Sequence, residues 1–177
     1  MNTWTPNLHW ITPHLAVGGS FASEEAERLA AEHRVRAVID LRAEAMDDEA
    51  LLRRHGMALL HLPTKDMCGV DARLLDDGVA FATGWIERGE RLLVHCEHGI
   101  GRSATLALCI MVDRGQAPLE ALEQMKGRRA MVSPSPEQFA CWVAWLERHR
   151  AARLTVAWQL PDFEAFQAIA YGHLHAA

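Results

Sequence analysis

Cys96 closes the apolar run Leu92-Leu93-Val94-His95, and Arg102 follows six residues later across a turn that contains Gly99 and Gly101. A strand ending at the cysteine, a tight turn and a helix starting near the arginine direct several backbone N–H groups into one concavity, with the positive end of a helix behind it. That cradle suits a tetrahedral oxyanion. Its phosphate-binding groups are the turn residues Glu97, His98, Gly99, Ile100 and Gly101, with Arg102 adding a planar fork of donors. Glycine at 99 and 101 allows the backbone dihedrals such a turn requires. The same donors favour thiolate over thiol and lower a cysteine pKa from about 8.5 into roughly the 3.5–7.5 range. A thiolate beside a bound phosphate is a nucleophile aimed at phosphorus, and attack gives a cysteinyl-phosphate that water must hydrolyse. Ser103 is placed to hydrogen-bond the sulfur and ease its departure.

The string His95-Cys96-(five residues)-Arg102-Ser103 resembles the signature of the cysteine-dependent protein tyrosine phosphatase superfamily, and the chain's size and layout resemble its dual-specificity branch. The resemblance runs from about residue 10 to residue 150. It takes in Val17-Gly18-Gly19, the segment Ala37-Val38-Ile39-Asp40-Leu41-Arg42, an aspartate loop, the signature and Pro134-Ser135-Pro136-Glu137-Gln138-Phe139. It implies a metal-independent phosphomonoester hydrolase that needs no cofactor and acts on phosphotyrosine, with phosphoserine and phosphothreonine also admitted. The family's general acid lies on a loop about thirty residues before the cysteine. Asp66 fits that place, and once ionised it can activate water. Asp71, Asp76 and Asp77 compete, the first reading better as a helix cap and the others as helix residues. His95 is expected beneath the cradle as a supporting residue, Asp40 and Arg42 as braces, and Gln138 as a helix cap that can also position water.

Three other classes are compatible with a cysteine loop of this kind. A non-catalytic phosphate-binding module usually loses the cysteine, and a rhodanese-like sulfurtransferase needs no general acid. An RNA 5′-triphosphatase-like enzyme shares a histidine before the first glycine but departs at Gly101-Arg102-Ser103. Glu97 inside the loop argues against a polyanionic inositol phosphate. The tyrosine-bearing recognition loop of the large tyrosine-specific branch has no counterpart, because the one tyrosine is Tyr171.

The chain has 177 residues, half of them hydrophobic, which suits one domain with a sizeable core. A net charge of −5 gives no global basic field for nucleic acid or anionic lipid, so neither partner is expected. The expected partner is a phosphorylated protein substrate, and the oligomeric state is left open. No apolar run spans a bilayer, the N-terminus lacks the layout of a secretory signal, and the expected location is cytoplasmic. Cys68, Cys96, Cys109 and Cys141 are expected as reduced thiols. Cys68, near Asp66, is a candidate disulfide partner for oxidised Cys96.

The elements that must hold this site alternate. Val35–Asp40, Met57–His61 and Leu92–His95 read as buried strands, and Trp10–Val17 as a hairpin turned at Thr12-Pro13. Ser23 is expected to cap a helix reaching about His33, and Asp47-Asp48 to open one closed by Gly56. Further helices are expected over Asp71–Arg88, Ser103–Val112, Pro118–Lys126, from the Ser135 capping box onward, and from Pro161-Asp162 to about Tyr171. Together these predict an α/β fold with a mostly parallel twisted sheet of about four to five strands, ligands binding beyond the carboxyl ends of the strands. Residues 154–177 are expected to form a helical extension outside the resemblance.

Overall fold

The computed structural model describes residues 4–153 and 155–174; Leu154 and the last three residues of the C-terminal extension lie outside that range. Five strands form one sheet in the order β1-β2-β5-β3-β4: β1 Leu8–Trp10, β2 Leu15–Gly18, β3 Val35–Arg42, β4 Ala58–Thr64 and β5 Arg91–His95. Only β1 runs antiparallel, paired with β2 across the Thr12-Pro13 turn; the β2–β5, β5–β3 and β3–β4 pairs are parallel. The three apolar runs are therefore strands with both faces covered, which is why they show no polar alternation. Leu15, Val17, Ile39, Leu92 and Val94 face one side, Ala16, Val38 and Leu93 the other, as the two-residue period of a strand requires.

α1 (Ala26–Ala31) and α2 (Glu49–Arg54) cover one face, with Leu29, Leu52 and Met57 in its core. The opposite face carries α3 (Ala72–Glu87), α4 (Arg102–Asp113), α5 (Pro118–Arg128) and α6 (Pro136–Ala151). α4 is buried from Arg102 to Val112 between the sheet and its neighbours, the setting its nearly all-apolar sequence demands. Each large aliphatic side chain fully buried there contributes about 1.5–3 kcal/mol. The last helix, α7 (Phe163–Ala170), seats Phe166 and Ala170 against α5 and α6, with the Phe166 ring 4.6 Å from that of Phe139.

Helix ends follow their caps except at two places. Asp71, Asp162 and Ser135 accept from Arg73, Ala165 and Gln138 N–H, and Gly89 and Gly115 take positive φ just past α3 and α4. Ser23 does not cap α1. The helix opens instead with a 3₁₀ turn over Ser23–Glu25, where the Glu25 carboxylate reaches back to the Ala22 N–H, and it ends at Ala31, short of His33. At α2 only Asp48 caps, accepting from Leu51 N–H; Asp47 is drawn into the buried charges beneath the active-site loop.

Candidate active site

The Glu97–Gly101 loop leaves the carboxyl end of β5, the central strand, and α4 begins at Arg102. Each carbonyl of this turn is taken by a donor outside the cradle. Cys96 O meets His95 Nδ1 at 3.2 Å, Glu97 O accepts from Ser20 N–H at 3.0 Å, and His98 O and Gly99 O accept from Arg129 at 2.8 and 2.7 Å. Ile100 O accepts from Ser133 N–H at 3.0 Å and Gly101 O from Thr105 N–H at 2.9 Å. In a trans peptide the carbonyl and the next N–H point opposite ways. Holding six successive carbonyls outward thus turns the N–H groups of residues 97 to 102 inward, the nest expected from the sequence. The Gly99 N–H accordingly donates to Cys96 Sγ at 3.3 Å.

Gly99 sits at φ +67°, and a Cβ there would lie 2.4 Å from the backbone carbon and oxygen of Gly18. The Val17-Gly18-Gly19 segment thereby packs directly behind the turn. Gly99→Ala is expected to destabilise the chain by about 2–4 kcal/mol through overpacking and backbone strain, read as a lowered denaturant midpoint at unchanged slope.

Cys96 is buried, with the Ser103 hydroxyl 3.4 Å from its sulfur. Burial opposes the thiolate. Hydrogen bonds from the Ser103 hydroxyl and N–H and from the Gly99 N–H, with the charge of Arg102, outweigh it and hold Cys96 below the ordinary thiol value. Cys109 and Cys141 move the other way, pushed up by burial among apolar helices. All four thiols are free, and Cys68 is exposed. Cys141, not Cys96, holds the segment after Cys68, its sulfur accepting from Val70 N–H.

Arg102 is 1% exposed and spans the cradle to the β3 and β4 loops. Its two terminal nitrogens pair with both Glu44 oxygens at 2.8 Å, and Nη1 also donates to Thr64 O at 2.9 Å. That pairing drops the Glu44 carboxyl to about 2. Arg102 Nε, buried and without a hydrogen-bond partner among the described residues, has Asp66 Oδ1 at 3.4 Å. Asp66 is 60% exposed in its side chain, at the mouth of the cradle. Its rivals are committed elsewhere: Asp71 caps α3, Asp76 pairs with Trp145 and Arg148, and Asp77 faces Arg73.

Under the cradle His95 Nε2 lies 2.6 Å from Asp47, and Arg42 donates to Asp40 and Asp47 at 2.9 and 2.8 Å. Asp40, Asp47 and His95 cluster closely enough for a cation, but the Arg42 guanidinium already bridges the two carboxylates. The cluster is an ion-paired brace, and Phe21 closes it with its ring 5.2 Å from that of His95.

Gln138 forms the expected capping box with Ser135, and its amide abuts Gly101, where a Cβ would lie 2.4 Å from Oε1. His98 points outward, exposed. Three contributors were not apparent in the sequence: Glu44, which orients Arg102; Asp47, which holds His95; and Arg129, 1% exposed, which carries two cradle carbonyls and reaches Asn7 and His9 of the N-terminal strand region. For Arg129 the only signal was its position just before the Pro134–Phe139 segment of the resemblance.

A mostly parallel sheet with a cysteine nest at its central carboxyl end, an arginine beside it and an acid at the rim defines a cysteine-dependent phosphatase of the dual-specificity type. The chain belongs to the family described as polymorphic toxin system, DSP-PTPase phosphatase, whose model matches residues 16–116. Among curated relatives, mouse phosphatidylglycerophosphatase and protein-tyrosine phosphatase 1 is 29% identical over 137 residues, 73% of this chain and 71% of that protein. Human dual specificity protein phosphatase 5 is 29% identical over 127 residues, 71% of this chain and 32% of the relative, so the chain spans about a third of its length. The crystal structure of PTPMT1 superposes with a TM-score of 0.75 at 26% identity, covering 82% of this chain and 98% of the other.

Proposed function

We propose that this chain removes phosphate from proteins, taking phosphotyrosine and also phosphoserine and phosphothreonine. Cys96 is the nucleophile and Arg102, with the inward N–H groups of residues 97–102, binds the phosphoryl oxygens. In the first step the thiolate forms a bond to phosphorus as the ester P–O bond breaks, and Asp66 gives its proton to the leaving oxygen. In the second, water attacks phosphorus, the S–P bond breaks, and Asp66 takes the water's proton. Ser103 steadies the departing sulfur. The observation that carries this reading is the buried Cys96 sulfur held by Gly99 N–H and Ser103 at the floor of the nest. A mechanism that needs a free thiolate suits a reducing compartment, and we place the enzyme in the cytosol on that ground.

The choice of a protein substrate rests on the rim. Glu44, Glu97 and Asp66 stand 45%, 43% and 60% exposed in their side chains around the mouth, and one phosphomonoester dianion fits that field better than a polyphosphorylated inositol ring. Lipid substrates are the competing possibility, since one relative is named as a phosphatidylglycerophosphatase and one neighbouring structure is a complex of PTPMT1 with PI(5)P. Steady-state hydrolysis of phosphotyrosine peptides, phosphatidylglycerophosphate and a phosphoinositide separates them. The expected kcat/KM for the peptide exceeds both lipids by about tenfold or more, a difference of roughly 1.4 kcal/mol in transition-state binding. A preference for either lipid overturns the assignment.

A further inference from the structure

The structural neighbour that is itself covered to 98% leaves about a fifth of this chain unmatched, and α7 lies in the C-terminal segment outside the resemblance. That segment is tied to the loop between α5 and α6. Tyr171 Oη donates to Pro134 O at 2.6 Å, and Lys126 Nζ donates to Ala130 O, Val132 O and Ala170 O at 2.5, 2.7 and 2.9 Å. One cation thus joins the loop to the end of α7, while Phe166, fully buried, anchors the helix on Phe139 and Trp142.

The same loop touches the active site from behind. Ser133 N–H holds Ile100 O outward, which keeps the Gly101 N–H facing the phosphate position. Arg129, at the loop's start, holds His98 O and Gly99 O. Ser135 Oγ donates to Met67 O at 2.7 Å, next to Asp66 in a stretch where Met67 takes φ +62°. Loop 129–135 therefore grips both the nest and the acid-bearing turn, and α7 grips the loop.

We propose that the C-terminal segment positions the active site: Tyr171 and Lys126 are positioning residues that fix the loop 130–135, and through it the Gly101 N–H and the Asp66 turn. The proposal rests on the reading of Cys96 as nucleophile and extends it to residues that touch no substrate. A segment that only covered apolar surface would need aromatic packing and no bonds to backbone carbonyls of this loop. The polar anchors meet the backbone of that loop: the Tyr171 hydroxyl at residue 134, and the Lys126 ammonium of α5 at residues 130 and 132 while it also holds Ala170 O and His173 Nδ1 of the C-terminal segment.

The test uses the full chain carrying Tyr171→Phe, which keeps the ring among Phe163 and Phe166 and loses only the hydroxyl, and separately Lys126→Met. Each is compared with the unaltered chain by thermal unfolding, by steady-state hydrolysis of an aryl phosphate, and by the pH midpoint of Cys96 alkylation with iodoacetamide, read on the Cys96 peptide. The unaltered chain is expected to show a midpoint below about 8.5. Each variant is expected to lower kcat/KM about three- to tenfold, the equivalent of one buried hydrogen bond, and to raise the midpoint because the nest holds the thiolate less well. A lowered Tm with kcat/KM and midpoint unchanged in both variants overturns the proposal. If one variant does not fold, the other carries the comparison. Alkylation requires no turnover, so a shifted midpoint in a chain that hydrolyses no aryl phosphate would sink the phosphatase reading and leave the positioning role standing.

Discussion

Cys96→Ser is expected to abolish hydrolysis of an aryl phosphate, a loss on the order of 10⁴-fold or more, while leaving oxyanion binding nearly intact. The serine hydroxyl is isosteric enough to sit beside Ser103 and Gly99 N–H, but its pKa lies far above the working pH and nothing near it accepts its proton. The binding groups are untouched: the inward N–H groups are fixed by outside donors to the carbonyls, and Arg102 is fixed by Glu44 and Thr64. Titration with inorganic phosphate should therefore give a Kd within about threefold of the unaltered chain, a difference under roughly 1 kcal/mol. Retained turnover in Cys96→Ser would remove the covalent mechanism, and lost phosphate binding would show that the sulfur organises the nest.

Asp66→Asn is expected to lower kcat/KM, which reports the phosphorylation step alone, by about 10²–10³-fold for an ester with a basic leaving alcohol and by much less for an activated phenol. The reason is chemical. A proton is needed on the leaving oxygen only when that oxygen would otherwise depart as a strong base, so the cost of losing the acid must scale with leaving-group pKa. Asp66 stands in contact with Arg102 Nε at the mouth, while Asp71, Asp76 and Asp77 are occupied on α3. A series of aryl phosphates of graded leaving-group pKa measures the slope directly. An equal loss across the series would assign Asp66 to binding through Arg102 and leave the proton donor to another group.

Much of this site was legible in the residues because local rules and chemistry agreed there. The three apolar runs had to be covered on both faces, the capping box at Ser135 to Gln138 and the cap at Asp71 formed as their spacing requires, and Gly99 at positive φ marked the turn, whereas Gly101, at φ −117°, leaves room for Gln138 and needs no unusual dihedral. What stayed hidden is tertiary. Glu44 reaches Arg102 across 58 residues of chain and Asp47 reaches His95 across 48, distances over which no periodicity carries information. Arg129 reads as a surface charge beside Arg128, yet it is buried because the outward carbonyls of the nest need a donor. Ser23 misled because its neighbour Glu25 satisfies the helix start from inside the first turn, leaving the serine nothing to cap. Asp47 misled for the opposite reason: it looks like half of an Asp-Asp helix opening, and the buried imidazole of His95 and Arg42 claim it first.

The most direct test of the account is the covalent intermediate itself. In Asp66→Asn an activated aryl phosphate still phosphorylates Cys96, because its leaving group needs no proton, while the water that must cleave the S–P bond has lost its base; the intermediate should accumulate. Mixing that variant with ³²P-labelled aryl phosphate and quenching within milliseconds to seconds is expected to leave close to one label per chain on the Cys96 peptide, absent when Cys96 is also replaced by serine. Release of free labelled phosphate at the same rate with no label on the protein would contradict transfer through Cys96.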